Sequence, residues 1–351
     1  MAGRPTSRRA TLADVARRAG VSPGTASKAL NGRHDIAEGT RARVLEAVAE
    51  LGYRPTTAQQ ERPATRTIAA VTDVLDAPYI SNVLQGVLAA ATGARANLLV
   101  RLAPDRAVRT TRAAARAWVA EQEEAGAVGV VGITLSKPNA LLQAAKEARL
   151  PFVMIDPVDL EDPLTVSVGS ANWAGARTAT EHLLELGHRR IGWIGGPAAS
   201  AAARERFHGY RAALDSAGIA LERDLVRTDS FSIETGVTHG RHLLSSPRPP
   251  SAIVTGDDEI AVGVLAAARE RGVPVPERLS VVGFDDTPQA GWTSPPLTSV
   301  HQPLAGMGRM AVDTVLAMAD GVQPASRHVQ LATSLTVRDS TAPPPRAVEE
   351  Q

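Results

Sequence analysis

The 351-residue sequence contains no cysteine. That excludes a disulfide framework, a thiolate zinc site and a cysteine nucleophile, and it fits a reducing compartment. Lysine is scarce too, so the positive charge is almost all arginine. No apolar run approaches the roughly 20 residues that a membrane-spanning helix needs. The N-terminal MAGRPTSRRA is basic, but no apolar stretch follows it, so it does not read as a secretory signal. Enzyme signatures are missing as well. There is no P-loop, no G-x-S-x-G and no zinc-ligand spacing; GWIGGP, at 192–197, lacks the G-x-G-x-x-G spacing and closes on proline. His182 and His188 read as structural, the latter with Arg189 at a helix C-terminus that the helix dipole favours. The expectation is no enzyme, no cofactor and no metal.

What is present begins at Thr11. From there to Tyr53 the chain reads as three short helices. Leu12, Val15, Ala16 and Ala19 fall at i, i+3, i+4 and i+7, one apolar face. Thr11 is placed to cap that helix, with Asp14 three residues on to complete a capping box. Gly20 supplies the tight turn, since a left-handed backbone costs glycine little. Ser22 is a good N-cap for the second helix, and Pro23 suits its first position. Asn31-Gly32 ends that helix, and the third carries Val44, Leu45, Val48 and Leu51 on one face.

Two helices joined by a short glycine turn form a helix-turn-helix, whose second helix enters the DNA major groove. A small helical bundle with no DNA role has the same pattern; charge separates the two. Residues 1–66 hold twelve Lys/Arg against six acids, so this stretch is +6 and the remaining 285 residues of the +1 chain are −5. A basic head on a mildly acidic body is the electrostatic footprint of a nucleic-acid-binding module.

The stretch LADVARRAGVSPGTASKALNG followed by TRARVLEAVAELGYRP resembles the lactose repressor (LacI/GalR) family of bacterial transcription regulators. The resemblance continues through nearly the whole chain. It implies a cytoplasmic homodimer, in some members a tetramer, in which each subunit has an all-α helix-turn-helix head, a hinge and an α/β periplasmic-binding-protein-like sensor of two doubly wound lobes. The domains expected are a disordered basic arm (1–10), the head (11–54), a hinge or linker (55–66), an effector-binding domain (67–340) and a disordered tail (341–351). Lobe 1 is expected at about 67–156 and 298–322, and lobe 2 at about 157–297 and 323–340. No C-terminal heptad repeat stands to tether a tetramer.

Partners expected are double-stranded operator DNA, pseudo-palindromic, and a small effector; no membrane. The DNA-facing set is Thr11, Ser22, Pro23, Gly24, Thr25, Ser27, Lys28, Asn31, Arg33, Arg54 and Arg62. Arg8, Arg9, Arg33 and Arg54 supply phosphate contacts. Pro23 and Gly24 have no side-chain donors, so base readout leans on Thr25, Ser27 and Lys28, with Lys28 towards a guanine edge. Ala37 stands where the family has a Ser cap, at a cost of about 1 kcal/mol unless Asp35 substitutes. In the linker, RPTTAQQERPATR, the resemblance implies a hinge helix whose leucine wedges into the minor groove. Here Arg62 holds the leucine's place and Pro63 discourages a helix. A flexible hinge, an Arg62 that reads minor-groove width and a plain solvated linker all stay open.

From Thr67 short apolar runs alternate with helical patterns, the signature of βα units and parallel sheets. TIAAVTD is the first strand and LTVSV opens the second series; the resemblance adds that the chain crosses back after Pro295-Pro296, so that LTSVHQP rejoins lobe 1. Ligands of such sheets bind beyond the carboxyl ends of the strands. Asp73 ends the first strand, and Tyr79 follows, placed to stack on a ligand. Asn172-Trp173 opens a helix, with Trp173 either core or ligand platform. The resemblance implies that Arg206 forks onto ligand hydroxyls or a carboxylate, Phe231 forms an aromatic wall, Asp257-Asp258 matches an acidic pair, Asp285 accepts from sugar hydroxyls and Gln302 reaches in from a crossover. The plainer alternative for each acid is helix capping. Asp258 and Asp286 are read that way, Arg206 and Asp285 as functional. These groups suit a polyol, so the effector expected is a sugar. A purine or other metabolite, a phosphorylated sugar and a solute-binding module without DNA function are the alternatives.

Overall fold

The computed structural model describes residues 11–30, 36–51, 66–158 and 164–345, with only the backbone at 106 and 107. The basic arm, Asn31, Arg33, Asp35, Arg54, Arg62 and all of the expected hinge except Arg66 lie outside the described residues. The chain divides into two units between Ala64 and Thr65.

The first unit is helical. α1 (Leu12–Ala19) opens on the expected capping box: the Asp14 amide donates to Thr11 Oγ1 at 3.3 Å, and the Thr11 amide donates back to the Asp14 carboxylate at 2.9 Å. Gly20 closes it at φ +64°, the left-handed turn that its lack of Cβ permits. α2 (Pro23–Leu30) and α3 (Glu38–Leu51) complete a core of Val15, Ala16, Ala19, Ala26, Ala29, Val44 and Ala47. The third helix differs from expectation. Val44, Ala47 and Val48 face the core, while Leu45 is 52% exposed and Leu51 is exposed. One residue of offset turns a side chain about 100° around a helix axis.

The second unit holds two six-stranded sheets. In chain order it runs β1 (Thr67–Thr72), α4 (Pro78–Gly93), β2 (Asn97–Leu102), α5 (Arg106–Thr110), α6 (Arg112–Glu124), β3 (Ala127–Ile133), α7 (Asn139–Ala148), β4 (Phe152–Ile155) and β5 (Val166–Ser170). Then follow α8 (Asn172–Glu185), β6 (Ile191–Gly195), α9 (Ala201–Ser216), β7 (Val226–Thr228), α10 (Ile233–Leu244), β8 (Ala252–Thr255), α11 (Asp258–Glu270) and β9 (Ser280–Asp285). The chain closes with β10 (Thr298–His301), α12 (Leu304–Ala319), β11 (His328–Leu331) and β12 (Ser334–Thr336). The sheet orders are β11-β5-β4-β3-β1-β2 and β12-β10-β9-β8-β6-β7, parallel throughout except for β12 on β10. Both faces are covered by helices, so strands such as β1 and β9 are buried at every residue.

Strand pairing corrects the expected lobe boundaries. β5 does not open lobe 2; it pairs with β4 in the first sheet, so lobe 1 runs on to Ser170. β10 pairs with β9 and stays in lobe 2, so the return comes after His301 and not at Pro295-Pro296. α12 packs on α4 in lobe 1 as expected, but β11 then pairs with β5 there, and only β12 returns to lobe 2. The chain therefore crosses between lobes at about 171, 302–303 and 332–333. The short strand β7 has no counterpart in the sequence reading.

The expected disordered tail is corrected as well, up to Pro345. The Thr341 hydroxyl meets His182 at 3.0 Å, and the Ala342 carbonyl lies 2.9 Å from His188 Nε2 and accepts from the Ser280 hydroxyl. His182 and His188 thus do hold structure. Three helix pairs among the described residues cross on glycine, α8 and α9 at Gly209, whose Cβ would lie 2.1 Å from the Trp173 carbonyl oxygen, and two more. A Cβ on Gly86 of α4 would lie 1.9 Å from the Ala305 carbonyl oxygen of α12. One on Gly263 of α11 would lie 2.1 Å from the Ile233 carbonyl oxygen of α10. No described helix is long and apolar enough to cross a membrane.

Candidate effector site and DNA-binding head

The carboxyl ends of the lobe strands meet a cavity of about 470 Å³, within the range of small-ligand sites. Asp73, Tyr79, Arg206, Phe231, Asp257 and Asp285 line it, as expected. Asp156, Thr134, Ser200 and Glu259 line it too and had escaped notice. Asp156 directly follows β4, so the rule that finds ligands beyond strand ends would have named it. Thr134, Asp156 and Asp285 sit just past or at the ends of β3, β4 and β9 with φ of +47°, +40° and +98°. Non-glycine residues adopt that region at a cost, and such strain collects at functional sites.

Arg206 is the centre of the floor, 3% exposed. Its Nε donates to Asn172 Oδ1 at 2.7 Å and its Nη1 to the Gly256 carbonyl at 2.6 Å; Nη1 also lies 3.2 Å from Asp285 Oδ1. The guanidinium carbon stands 3.9 Å from the Phe284 ring centroid and 5.9 Å from that of Phe231. Asn172 and Gln302 do not line the cavity. Both are buried one step behind it, where Gln302 donates to Asp285 and accepts from the Ser170 hydroxyl. They position the floor instead of touching its contents. Trp173 is a correction. It is 42% exposed outside the cavity, with the Arg177 guanidinium 5.5 Å over its ring. Asn172 points inward at the start of α8, and the next side chain turns about 100° away.

The walls carry their own order. The Tyr79 hydroxyl donates to Asp156 at 2.6 Å. Asp73 is held by Arg109 at 2.5 Å and by the Ser136 amide at 3.0 Å. Asp257 caps α11, accepting from the Ile260 amide at 2.8 Å, and also lines the cavity. Asp258 does not cap that helix: it accepts from the Thr287 amide at 2.7 Å and from the Ser299 hydroxyl at 2.5 Å, tying β10 to the loop after β9. Asp286 is no cap either. It pairs with Arg338 at 2.6 Å and accepts from the Thr336 hydroxyl.

Burial pushes Asp156, Asp257, Asp258 and Asp285 up. Asp258 reaches about 8, through desolvation first and the nearby Asp285 charge second. Asp285 is raised by burial to about 6 despite Arg206 beside it. Asp156 and Asp257 rise for the same first reason. Each raised acid binds its proton more tightly folded than unfolded, so its contribution is full below the ordinary value of 3.8 and is lost as pH rises through the folded value. Stability is therefore expected to fall between pH 4 and pH 8. Asp258→Asn keeps the acceptor for Thr287 and donates to Ser299. In urea titrations it is expected to flatten that fall and to exceed the parent by about 2 kcal/mol at pH 9. An unchanged slope in the variant would assign the dependence elsewhere.

The head presents Ser22, Pro23, Gly24 and Lys28 to solvent along the start of α2 and its next turn, with Thr25 and Ser27 half-buried and Thr11 exposed at the start of α1. Ser22 caps the helix, accepting from the Thr25 amide at 3.1 Å, and the two hydroxyls lie 2.9 Å apart. This is a short helix with a polar exposed end, carried on a small apolar core. No group of three or more metal-binding side chains occurs among the described residues.

Residues 11–56 match the family profile described as bacterial regulatory proteins, lacI family, and 180–341 match that of the periplasmic binding protein-like domain. The HTH-type transcriptional repressor PurR of Edwardsiella ictaluri (strain 93-146) is 31% identical, over 96% of this chain and 98% of its own. A transcriptional regulator CelR–cellobiose complex is 31% identical at a TM-score of 0.70, covering 95% of this chain and all of the other. The lac repressor dimer bound to operator and the anti-inducer ONPF is 27% identical at a TM-score of 0.74, with the same coverage. A three-helix head with a capped second helix, two crossing α/β lobes and near full-length identity to such proteins make this chain a member of the lacI family of bacterial regulatory proteins.

Proposed function

We propose that the protein is a cytoplasmic transcription regulator, a repressor without catalytic activity, that binds a pseudo-palindromic operator as a homodimer under the control of a sugar. One observation carries the effector part. Arg206, buried and already committed through Nε and Nη1, forms the floor of a cavity whose other charged lining residues are all carboxylates: Asp73, Asp156, Asp257, Glu259 and Asp285. Such a lining accepts from hydroxyls and repels phosphate or carboxylate ligands, while Tyr79 and Phe231 offer apolar faces to a sugar's C–H surface. The cellobiose bound by the CelR relative and the operator bound by the lac repressor dimer support the same reading.

In mechanism, the effector bridges groups of both lobes, Asp156 and Tyr79 from one and Arg206 and Asp285 from the other. It thereby favours one relative setting of the lobes about the three crossings. In the dimer that setting fixes the spacing of the heads, and only one spacing fits both half-sites. The test is fluorescence anisotropy of a labelled duplex from the gene's own upstream region, titrated with protein at fixed salt and then with sugars. Selective binding released by a sugar is the expected result; sequence-blind binding, or release by purines alone, would overturn the proposal. In the same assay Lys28→Ala is expected to lose about 1–3 kcal/mol of discrimination as well as affinity. An equal loss on every duplex would make Lys28 a phosphate contact.

A further inference from the structure

The cavity is strongly unbalanced in charge. Of its five carboxylates, two are answered by arginine: Asp73 by Arg109 at 2.5 Å and Asp285 by Arg206 at 3.2 Å. Asp156, Asp257 and Glu259 have no basic side chain within 4 Å among the described residues. The Tyr79 hydroxyl on Asp156 and the Ile260 amide on Asp257 are dipoles, which ease a carboxylate without cancelling its charge. Closing the lobes over a neutral ligand would bury these three carboxylates further, and the Arg206 charge that reaches Asp156 and Asp257 is already paired with Asp285.

A second observation fixes what the other end of the ligand must be. Arg206 makes its contacts through Nε and Nη1, so Nη2 remains as a donor on a residue that is 97% buried and faces the cavity. Its charge is already met by Asp285, so it suits a neutral oxygen better than an anion. Phe231 and Tyr79 complete the lining with ring faces, which favour a cation as well as a sugar's C–H groups.

We infer that the effector is a polyol bearing a protonated amine, an amino sugar, with a hydroxyl on Arg206 and the ammonium among Asp156, Asp257 and Glu259. The inference rests on the sugar reading above and narrows it. Burial raises all three of these carboxyls above their ordinary range, and a cation seated among them reverses that trend.

The test is isothermal titration of the full-length protein at about pH 6.5 in an amine-free buffer. The probes are glucosamine, galactosamine and mannosamine, each beside its neutral parent hexose and its N-acetyl form, and deacetylated chitobiose beside cellobiose. At least one amine is expected to bind tenfold or more tighter than both its neutral and its acetylated counterpart. Glu259→Gln removes a charge from a side chain with no hydrogen bond among the described contacts. It is expected to cut that advantage at least fivefold. A neutral sugar that binds as well as its amine overturns the amine and leaves the sugar reading standing. If every sugar is silent, or the amine's advantage survives Glu259→Gln, the inference fails; silence takes the sugar reading with it.

Discussion

Arg206→Met is expected to cost about 3–5 kcal/mol of stability and to abolish the response to effector. Methionine keeps the length of the side chain but none of its donors. Asn172 Oδ1 and the Gly256 carbonyl then lose a partner, and Asp285, 6% exposed, loses its cation. Asp285 already stands at about 6 with the arginine in place, so without it the carboxyl takes a proton. At pH 7 that proton costs about 4 kcal/mol against a carboxyl of ordinary pKa, of which the parent at about 6 already bears about 3, so about 1 kcal/mol is new and the two stranded acceptors supply the rest of the range. The defect is therefore expected to narrow from pH 7 to pH 5, where that proton comes more cheaply. Adding Asp285→Asn is expected to recover the part of the loss that Asp285 carries, since asparagine still accepts from Gln302. Urea titrations of the two variants at both pH values check this. A single variant within about 1 kcal/mol of the parent, or no recovery in the double, would mean that the ion pair is not what holds the floor.

Gly263→Ala is expected to destabilise by about 3 kcal/mol. On an exposed helix the same change stabilises by up to about 1 kcal/mol, so even the sign is diagnostic. The new methyl would lie 2.1 Å from the Ile233 carbonyl oxygen and 2.7 Å from the Val237 nitrogen. Both are backbone of α10, so no side chain can move aside and the two helices must separate. Gly93→Ala, at the end of α4 with nothing within 4 Å of its added carbon, is the matched control and should stay within about 0.5 kcal/mol. Equal effects at the two positions would show that backbone entropy, and not the helix crossing, governs both.

Local patterns in the sequence carried the elements well and their pairing poorly. α1 needed only the Thr11–Asp14 box, its apolar face and Gly20, all within ten residues. The sheet to which β5, β10 or β11 belongs is set by partners far along the chain, such as His328 beside Ser167. LTVSV reads the same whether it closes one sheet or opens the next. The site divides along the same line. Arg206, Asp285 and Phe231 stand in recognisable surroundings, and they do line the cavity. Trp173 was lost because facing depends on 100° of helix rotation. Asp156 directly follows β4, so the rule of strand ends reaches it as it reaches Asp73. Asp258 and Asp286 look like caps because strand-to-helix turns favour capping, whereas the partners of their carboxylates lie 15 to 52 residues away.

The three crossings also bear on how the protein is made. Each sheet receives an edge strand from the last described stretch, β11 for one and β12 for the other, and Thr341 and Ala342 then fasten onto lobe 2. A ribosome delivers the head's three helices early, as a contiguous piece with its own apolar core, but releases neither lobe complete until the final residues emerge. Nascent lobe 1 must wait with β5 as an open edge while all of α8 to α12 is synthesised, a long exposure for a flat, apolar strand. Termination between the head and Leu331 therefore leaves the three helices with their own core but no finished sensor.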